Sequence, residues 1–121
     1  MNMIINAEVF QLEEDLDNNL WLIDFRDEKL GLRGKIEIPS KIADLHDAKN
    51  LQIEVISAAK KKKPSFKDAK VALNATSYRT KPVGKEKIYS FSSGGLTFRL
   101  FSGKVLPEFK LPFKEYMIIV R

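Results

Sequence analysis

Apolar and polar side chains alternate along most of this chain, and that alternation constrains the fold more than any other feature. Between residues 30 and 38, one face is apolar and carries Leu30, Leu32, Gly34, Ile36 and Ile38. The opposite face is polar. A period of two is typical of β-strands with one buried face. About eight such segments follow one another, with turn residues between them at intervals of about 8–12 residues. The sequence therefore predicts an all-β domain.

The pattern also predicts individual strands and their buried faces. The turn residues at 26–29 separate two strongly apolar segments, so Trp21–Arg26 and Leu30–Ile38 are expected to form a hairpin. Alternation near the start of the chain places Ala7, Val9 and Gln11 on one face. One later strand is expected to turn Leu51, Ile53 and Val55 inward. Another is expected to place on one face Val71, Leu73 and Ala75.

One segment departs from the period of two. Pro39 ends a strand, Ser40 is a candidate helix cap, and Ile42 and Leu45 are three residues apart, which predicts a short helix. A short helix inserted between strands favours an OB-type (oligonucleotide/oligosaccharide-binding) barrel over a sandwich. With 121 residues the chain is long enough for one domain. We therefore expect residues 1–121 to form a single OB-type antiparallel β-barrel of about eight strands with one short helix.

Composition narrows the cellular setting. The chain has no cysteine, so disulfides and thiolate metal sites are excluded. No apolar run approaches the ~20 residues that cross a bilayer, and the first residues lack the features of a signal peptide. We expect a cytoplasmic protein with no membrane contact.

Charge is divided unevenly along the sequence. Residues 1–59 carry six basic and twelve acidic side chains, whereas residues 60–121 carry fifteen basic and four acidic ones. Such asymmetry favours an anionic partner, either an acidic protein surface or a nucleic acid. Alternatively, the two halves interleave in the fold and the surface field averages out.

The densest positive charge lies in residues 60–70, which hold six lysines and one aspartate. Four consecutive lysines cannot all point inward, so this segment is expected to be a solvated loop between two strands. It is either a solubilising connection or a weak contact for nucleic acid or an acidic surface. The residues that would make this contact are Lys60, Lys61, Lys62, Lys63 and Lys67.

Catalytic and cofactor motifs are not evident. His46 is the only histidine, so a metal site or a Ser-His-acid relay would have to depend on it alone. The acidic segment from Asp15 lacks the glycine and glutamate of a calcium loop, and the Gly84-Lys85 pair lacks the rest of a P-loop. We predict no catalytic residue, no metal, no cofactor and no small-molecule substrate.

Two adjacent glycines, Gly94 and Gly95, precede an alternating segment in "SSGGLTFRL". They do not form a dinucleotide fingerprint, because a third glycine and a following helix are missing. The local pattern predicts a tight turn between two strands, since glycine accepts positive φ. The glycines either serve only this turn or also let the backbone of a partner approach.

The same segment resembles a known family. The eighth small subunit of eukaryotic nuclear RNA polymerases and its archaeal counterpart carry a Gly-Gly-Leu-Leu-x-Arg-Leu strand before a final apolar strand. The matching residues here are Gly94, Gly95, Leu96, Arg99 and Leu100, followed by "EYMIIVR". Thr97 replaces the second leucine, and Ser93 replaces an aromatic residue of eukaryotic members. These departures favour the archaeal branch.

The resemblance implies an OB-type barrel that is a non-catalytic subunit of archaeal DNA-directed RNA polymerase. Such a subunit docks on the largest polymerase subunit and supports transcription of DNA into RNA. The nucleotidyltransferase centre of the complex, with its magnesium and aspartates, would belong to other chains. Exposed strand edges would offer a partner a place to pair. The alternative hypothesis is a free-standing OB-type module that binds single-stranded nucleic acid through Lys60–Lys63.

Overall fold

The structure, a computed structural model, describes residues 2–58, 64–104, 106 and 113–121. Across these residues the chain is all-β, as the alternation predicts. The strands in this part of the chain are β1 (Asn2–Asp15), β2 (Leu20–Asp27), β3 (Leu32–Pro39), β4 (Asn50–Ser57), β5 (Val71–Val83), β6 (Glu86–Ser93), β7 (Leu96–Ser102) and β8 (Glu115–Val120). A search of the described residues finds no helix of the length and hydropathy needed to cross a membrane.

The eight strands close into one antiparallel barrel. Their order is β1-β2-β3-β7-β6-β5-β8-β4, and β4 pairs with β1 to complete the circle. The first half of β1 pairs with β4 and its second half with β2, with a bulge between Val9 and Gln11. A bulge bends a strand, which allows β1 to serve two neighbours. The architecture confirms the predicted eight-stranded barrel and is consistent with the OB type.

The barrel interior follows the alternation in the sequence. Trp21, Ile23 and Phe25 of β2 are each at most 3% exposed, and the apolar positions predicted for β3 to face inward are buried from Leu32 onward. Leu30 is 39% exposed because it lies in the turn before β3. The inward positions predicted on β4 are confirmed as members of the core. The residues predicted to share one face of β5 all belong to the core or pack against it.

The predicted short helix is wrong, because the described residues contain none. In the segment between β3 and β4, Ala43 and Leu45 are buried while Ile42 is 59% exposed, so the apolar contacts alternate. The Asp44 carboxylate accepts a hydrogen bond from the backbone N–H of His46 at 3.1 Å, and Asp47 has a φ of +58°. These local turns replace the i to i+4 ladder that a helix needs.

Strand edges are less available than the sequence suggested. Every described strand has a hydrogen-bonded neighbour on both sides, so a partner cannot add a strand along a fully open edge. The exceptions are overhangs produced by the stagger of the strands. On β5, for instance, pairing with β8 ends at Thr76, and the rest of the strand pairs with β6 alone.

Strand order also decides whether the two charged halves of the sequence interleave. Strands β4, β1, β2 and β3 are contiguous around the barrel, and so are β7, β6, β5 and β8. The first arc comes from residues 2–58, with six basic and twelve acidic side chains. Among the described residues from 64 onward there are ten basic and three acidic side chains. The halves therefore form two sides of the barrel, and the interleaved alternative is wrong.

Gly34 allows the closest packing in the barrel wall. A methyl group at this position would lie 2.8 Å from Cε2 of Phe25 and 2.8 Å from the carbonyl oxygen of Arg99. Such distances are too short for carbon, and one of the two obstacles is backbone. The Phe25 ring also stacks on Phe98, with ring centroids 6.4 Å apart, so its movement is restricted.

We predict that Gly34→Ala lowers the free energy of unfolding by about 1–3 kcal/mol, the usual cost of overpacking a core. Urea denaturation followed by Trp21 fluorescence measures the change as a lower midpoint. Gly103→Ala is the matched control, since nothing lies within 4 Å of a methyl group there. Equal midpoints for the two variants would contradict the packing role of Gly34.

Candidate functional site

Gly94 and Gly95 form the two-residue connection between β6 and β7. Ser93 pairs with Leu96 across this hairpin, and the two glycines have φ angles of +56° and +92°. Positive φ at both central residues is the pattern of a type I′ turn, which side chains larger than glycine or asparagine rarely accept. A methyl group at either glycine would meet nothing within 4 Å, so the tip of the hairpin is open to the surroundings.

The other motif residues have different environments. Arg99 is exposed on the outer side of β7, and Leu96 is half-buried beside the turn. Leu100 is fully buried in the barrel core. Its side chain is therefore unavailable to a partner, which corrects the expectation that it makes such a contact. The part of the motif that a partner can reach is the tip, Leu96 and Arg99.

The lysine segment falls largely outside the described residues, because Lys60–Lys63 are not among them. Lys67 is described, and it is exposed. Its backbone is fixed by Arg121, whose Nε donates to the Lys67 carbonyl at 2.9 Å. Arg121 also pairs with Glu54 of β4 at 2.9 Å, and both side chains are at most 20% exposed. This network ties the chain before β5 to the outside of the barrel.

Pairing between strands assembles a cationic surface that sequence reasoning missed. Lys35 of β3 pairs with Arg99 of β7, Arg99 pairs with Ser90 of β6, and Ser90 pairs with Arg79 of β5. Lys81 is two residues beyond Arg79 on β5, on the same side of the sheet. We call the outward surface formed by Lys35, Arg79, Lys81 and Arg99 the basic face.

The cations of the basic face are exposed, and none of them forms an ion pair with a described carboxylate. Arg99 lines two shallow depressions, one of about 310 Å³ toward β1 and β2 and one of about 200 Å³ toward β5. Tyr78 lines the smaller depression and is 37% exposed. The signal in the sequence was the alternate cations on β3 and on β5, but only the register between distant strands brings them together with Arg99.

Next to the basic face, Arg33 and Phe101 form a second pair of interacting side chains. The Arg33 guanidinium lies 4.3 Å from the centre of the Phe101 ring, a cation–π contact. The same guanidinium donates a hydrogen bond to Glu86 at 2.9 Å. Arg33 is thus already compensated, which is why we leave it out of the basic face.

His46 lies in an acidic environment near the outside of the barrel. Its Nδ1 hydrogen-bonds the Asp44 carboxylate at 2.7 Å, and its Nε2 lies 3.6 Å from Glu14. The hydrogen bond to Asp44 is the main cause that raises the pKa of His46, and the charges of Asp44, Glu14 and Asp47 add to it. The ring also packs edge-on against Trp21, with centroids 4.8 Å apart.

No group of three or more histidine, cysteine, aspartate or glutamate side chains within the described part of the chain is arranged to hold a metal ion. His46 and its carboxylate neighbours Asp44 and Glu14 form a polar cluster on the acidic side of the barrel. Among the described residues, the basic face and the hairpin tip are two surfaces with chemistry to offer a partner.

Comparisons with known proteins add no family assignment. No protein-family model matches the chain, and no curated protein matches it. The polymerase family named above therefore remains a resemblance carried by residues 94–100 and the final strand.

We predict that Gly95→Ala lowers the free energy of unfolding by about 1–2 kcal/mol, because an L-residue is strained at positive φ. Gly94→Asn should be close to neutral, since asparagine is favoured at the first central position of a type I′ turn. The midpoints of urea denaturation of Gly95→Ala and Gly94→Asn test these two expectations. If both variants were neutral, the hairpin would not require positive φ at this turn.

We predict that His46 titrates above its usual pKa and that Asp44→Asn lowers this pKa. Because the folded pKa is raised, the stabilisation from the pair is complete below the pH where unfolded histidine titrates. It is lost as the pH rises through the raised pKa. NMR titration of the imidazole in both proteins measures the difference. An unchanged pKa in Asp44→Asn would show that the hydrogen bond does not form in solution.

Proposed function

We propose that this protein is a non-catalytic subunit of an archaeal DNA-directed RNA polymerase in the cytoplasm. Its role is to assemble on the largest subunit and to support transcription of DNA into RNA. The observation that carries the proposal is the match of Gly94, Gly95, Leu96, Arg99 and Leu100 to the family strand, followed by the apolar strand β8.

The geometry of this segment supports the proposal. The motif forms one hairpin whose glycines build the turn, whose Leu100 anchors β7 in the core, and whose Arg99 points outward. An anchored strand presents its tip with little loss of conformational entropy when a partner binds. We propose that the tip at Gly94–Leu96 contacts the largest subunit.

Charge polarity gives the docked subunit a defined orientation. The arc from β4 to β3 is acidic, whereas the arc from β7 to β8 is basic. Opposite charges on opposite sides orient a small protein as it approaches a charged assembly. In the proposed complex, the catalytic magnesium and its aspartates belong to other chains.

The alternative function is a free-standing nucleic-acid-binding module that uses Lys60–Lys63. The specific observation in its favour is the basic side of the barrel, whose strand β5 follows this segment in the sequence. A free-standing module and a polymerase subunit differ in which proteins are recovered with them on affinity purification from the host.

Affinity purification of the tagged chain from its host tests the proposal. We expect the large polymerase subunits to be recovered with the bait in near-equal amounts, and to remain bound after nuclease treatment. Tag alone is the background control. Recovery of no polymerase subunit would refute subunit membership, and recovery that disappears with nuclease would favour the alternative module.

A pair of variants tests docking at the hairpin tip. Gly94→Asn keeps the turn but adds a side chain at the tip, so it should reduce recovery of the largest subunit. Gly84→Asn is the matched control, because Gly84 is also a hairpin glycine at positive φ with open space around it. Equal recovery with both variants would contradict docking at the tip and leave subunit membership intact.

A further inference from the structure

We propose that the basic face binds the backbone of a single-stranded nucleic acid, and that the Tyr78 ring and the Arg33 guanidinium over Phe101 offer surfaces on which its bases stack. The proposal concerns residues on β3, β7 and β5, so it is separate from the lysine segment at 60–63. It also does not depend on membership in a polymerase.

The spacing of the cations suits a chain of phosphates. Neighbouring strands lie about 4.8 Å apart, so Lys35 and Arg99 are adjacent and Arg79 is about 10 Å from Arg99 across the sheet. Arg79 and Lys81 are separated by about 7 Å along β5. A row of this kind contacts several successive phosphates and gains affinity from the release of their counterions.

The arginines of this row have no carboxylate partner among the described residues. Arg26, Arg33 and Arg121 each pair with a carboxylate, whereas Arg79 and Arg99 pair with none in the part of the chain that the structure describes. Like charges on adjacent strands destabilise a sheet when they face each other directly, as Lys35 and Arg99 do. An anionic ligand on this surface relieves that repulsion.

Aromatic side chains favour a single-stranded nucleic acid over an acidic protein as the ligand of the basic face. Tyr78 lines the depression that Arg79, Lys81 and Arg99 share, and Phe101 lies two residues from Arg99 on the same side of β7. The Arg33 guanidinium over Phe101 extends this flat surface. Cations beside stacking surfaces are typical of sites for single strands, whose bases are free to stack. In a duplex the bases already stack on each other.

Acidic side chains beside the basic face set the direction in which the nucleic acid lies. Glu37 accepts hydrogen bonds from Thr97 next to the basic face, and Asp24 of β2 lies opposite Lys35 in the strand register without forming an ion pair with it. Carboxylates there repel a phosphate backbone. The bound nucleic acid is therefore expected to cross the barrel surface from β3 over β7 and β6 to β5.

The test is fluorescence anisotropy with the full chain and labelled dT20 and rU20 over a series of salt concentrations. The triple variant Lys35→Glu, Arg79→Glu, Arg99→Glu should weaken binding at low salt by about tenfold or more. It should also reduce the slope of log Kd against log salt by about 2, because about three phosphate contacts are lost. Tyr78→Ala should weaken binding several-fold with little change in that slope.

A charge-matched control distinguishes an effect of this site on binding from an effect of the net charge of the protein. The triple variant Lys29→Glu, Lys41→Glu, Lys49→Glu changes the same charge at exposed lysines elsewhere, and it should bind as the parent chain does, apart from a small general loss. Circular dichroism melting confirms that both triple variants are folded. Should the triple variant of the basic face unfold, Arg99→Gln replaces it, with an expected loss of several-fold.

Several results would overturn the proposal. These are no binding at low salt, equal loss in the two triple variants, or full binding by the variant of the basic face. Loss only on replacing Lys60–Lys63 with serine would assign binding to the lysine segment instead. Equally tight binding of a 20-bp duplex would exclude selection of single strands, and equally tight binding of polyglutamate would indicate an acidic protein as the partner.

Discussion

Closure of the barrel through β1 is the constraint on which the rest of the structure depends. This strand pairs with β4 over residues 2–8 and with β2 over residues 8–15, and the bulge after Val9 joins the two parts. Because β1 pairs with both β4 and β2, the first four strands form one continuous arc and the last four form the other. The acidic and basic parts of the sequence are separated in space for that reason.

Interior packing and the basic face are coupled at one point of the wall. Gly34 pairs with Leu100, and its missing side chain leaves room for the Phe25 ring and for the backbone of Arg99. The close approach of β3 to β7 sets Lys35 beside Arg99 on the outside. A bulkier residue at position 34 would push β7 outward, so the same change that strains the core would also disturb the row of cations.

Local features of the fold could be predicted from the sequence, whereas features that depend on distant pairing could not. The hairpin from Trp21 to Ile38 and the turn at Gly94–Gly95 were predictable because each depends on a few adjacent residues. The bulge was not: strict alternation places Gln11 on the same face as Val9, yet Gln11 is exposed and Leu12 packs against the core. The predicted helix between β3 and β4 failed because the Asp44 side chain competes for the backbone hydrogen bonds.

The candidate site shows the same division. Arg99 was singled out from the sequence because it belongs to a recognisable strand, but its neighbours Lys35 and Arg79 are far away in the chain and meet it only through the register. One arginine therefore takes part in both proposals, and they are compatible because they use different parts of β7. The hairpin tip is at the start of β7, and Arg99 is about 13 Å from Gly95 along an extended strand. Docking that is confined to the tip would leave the side of the barrel from β3 to β5 open, so the two proposals do not exclude each other on one subunit.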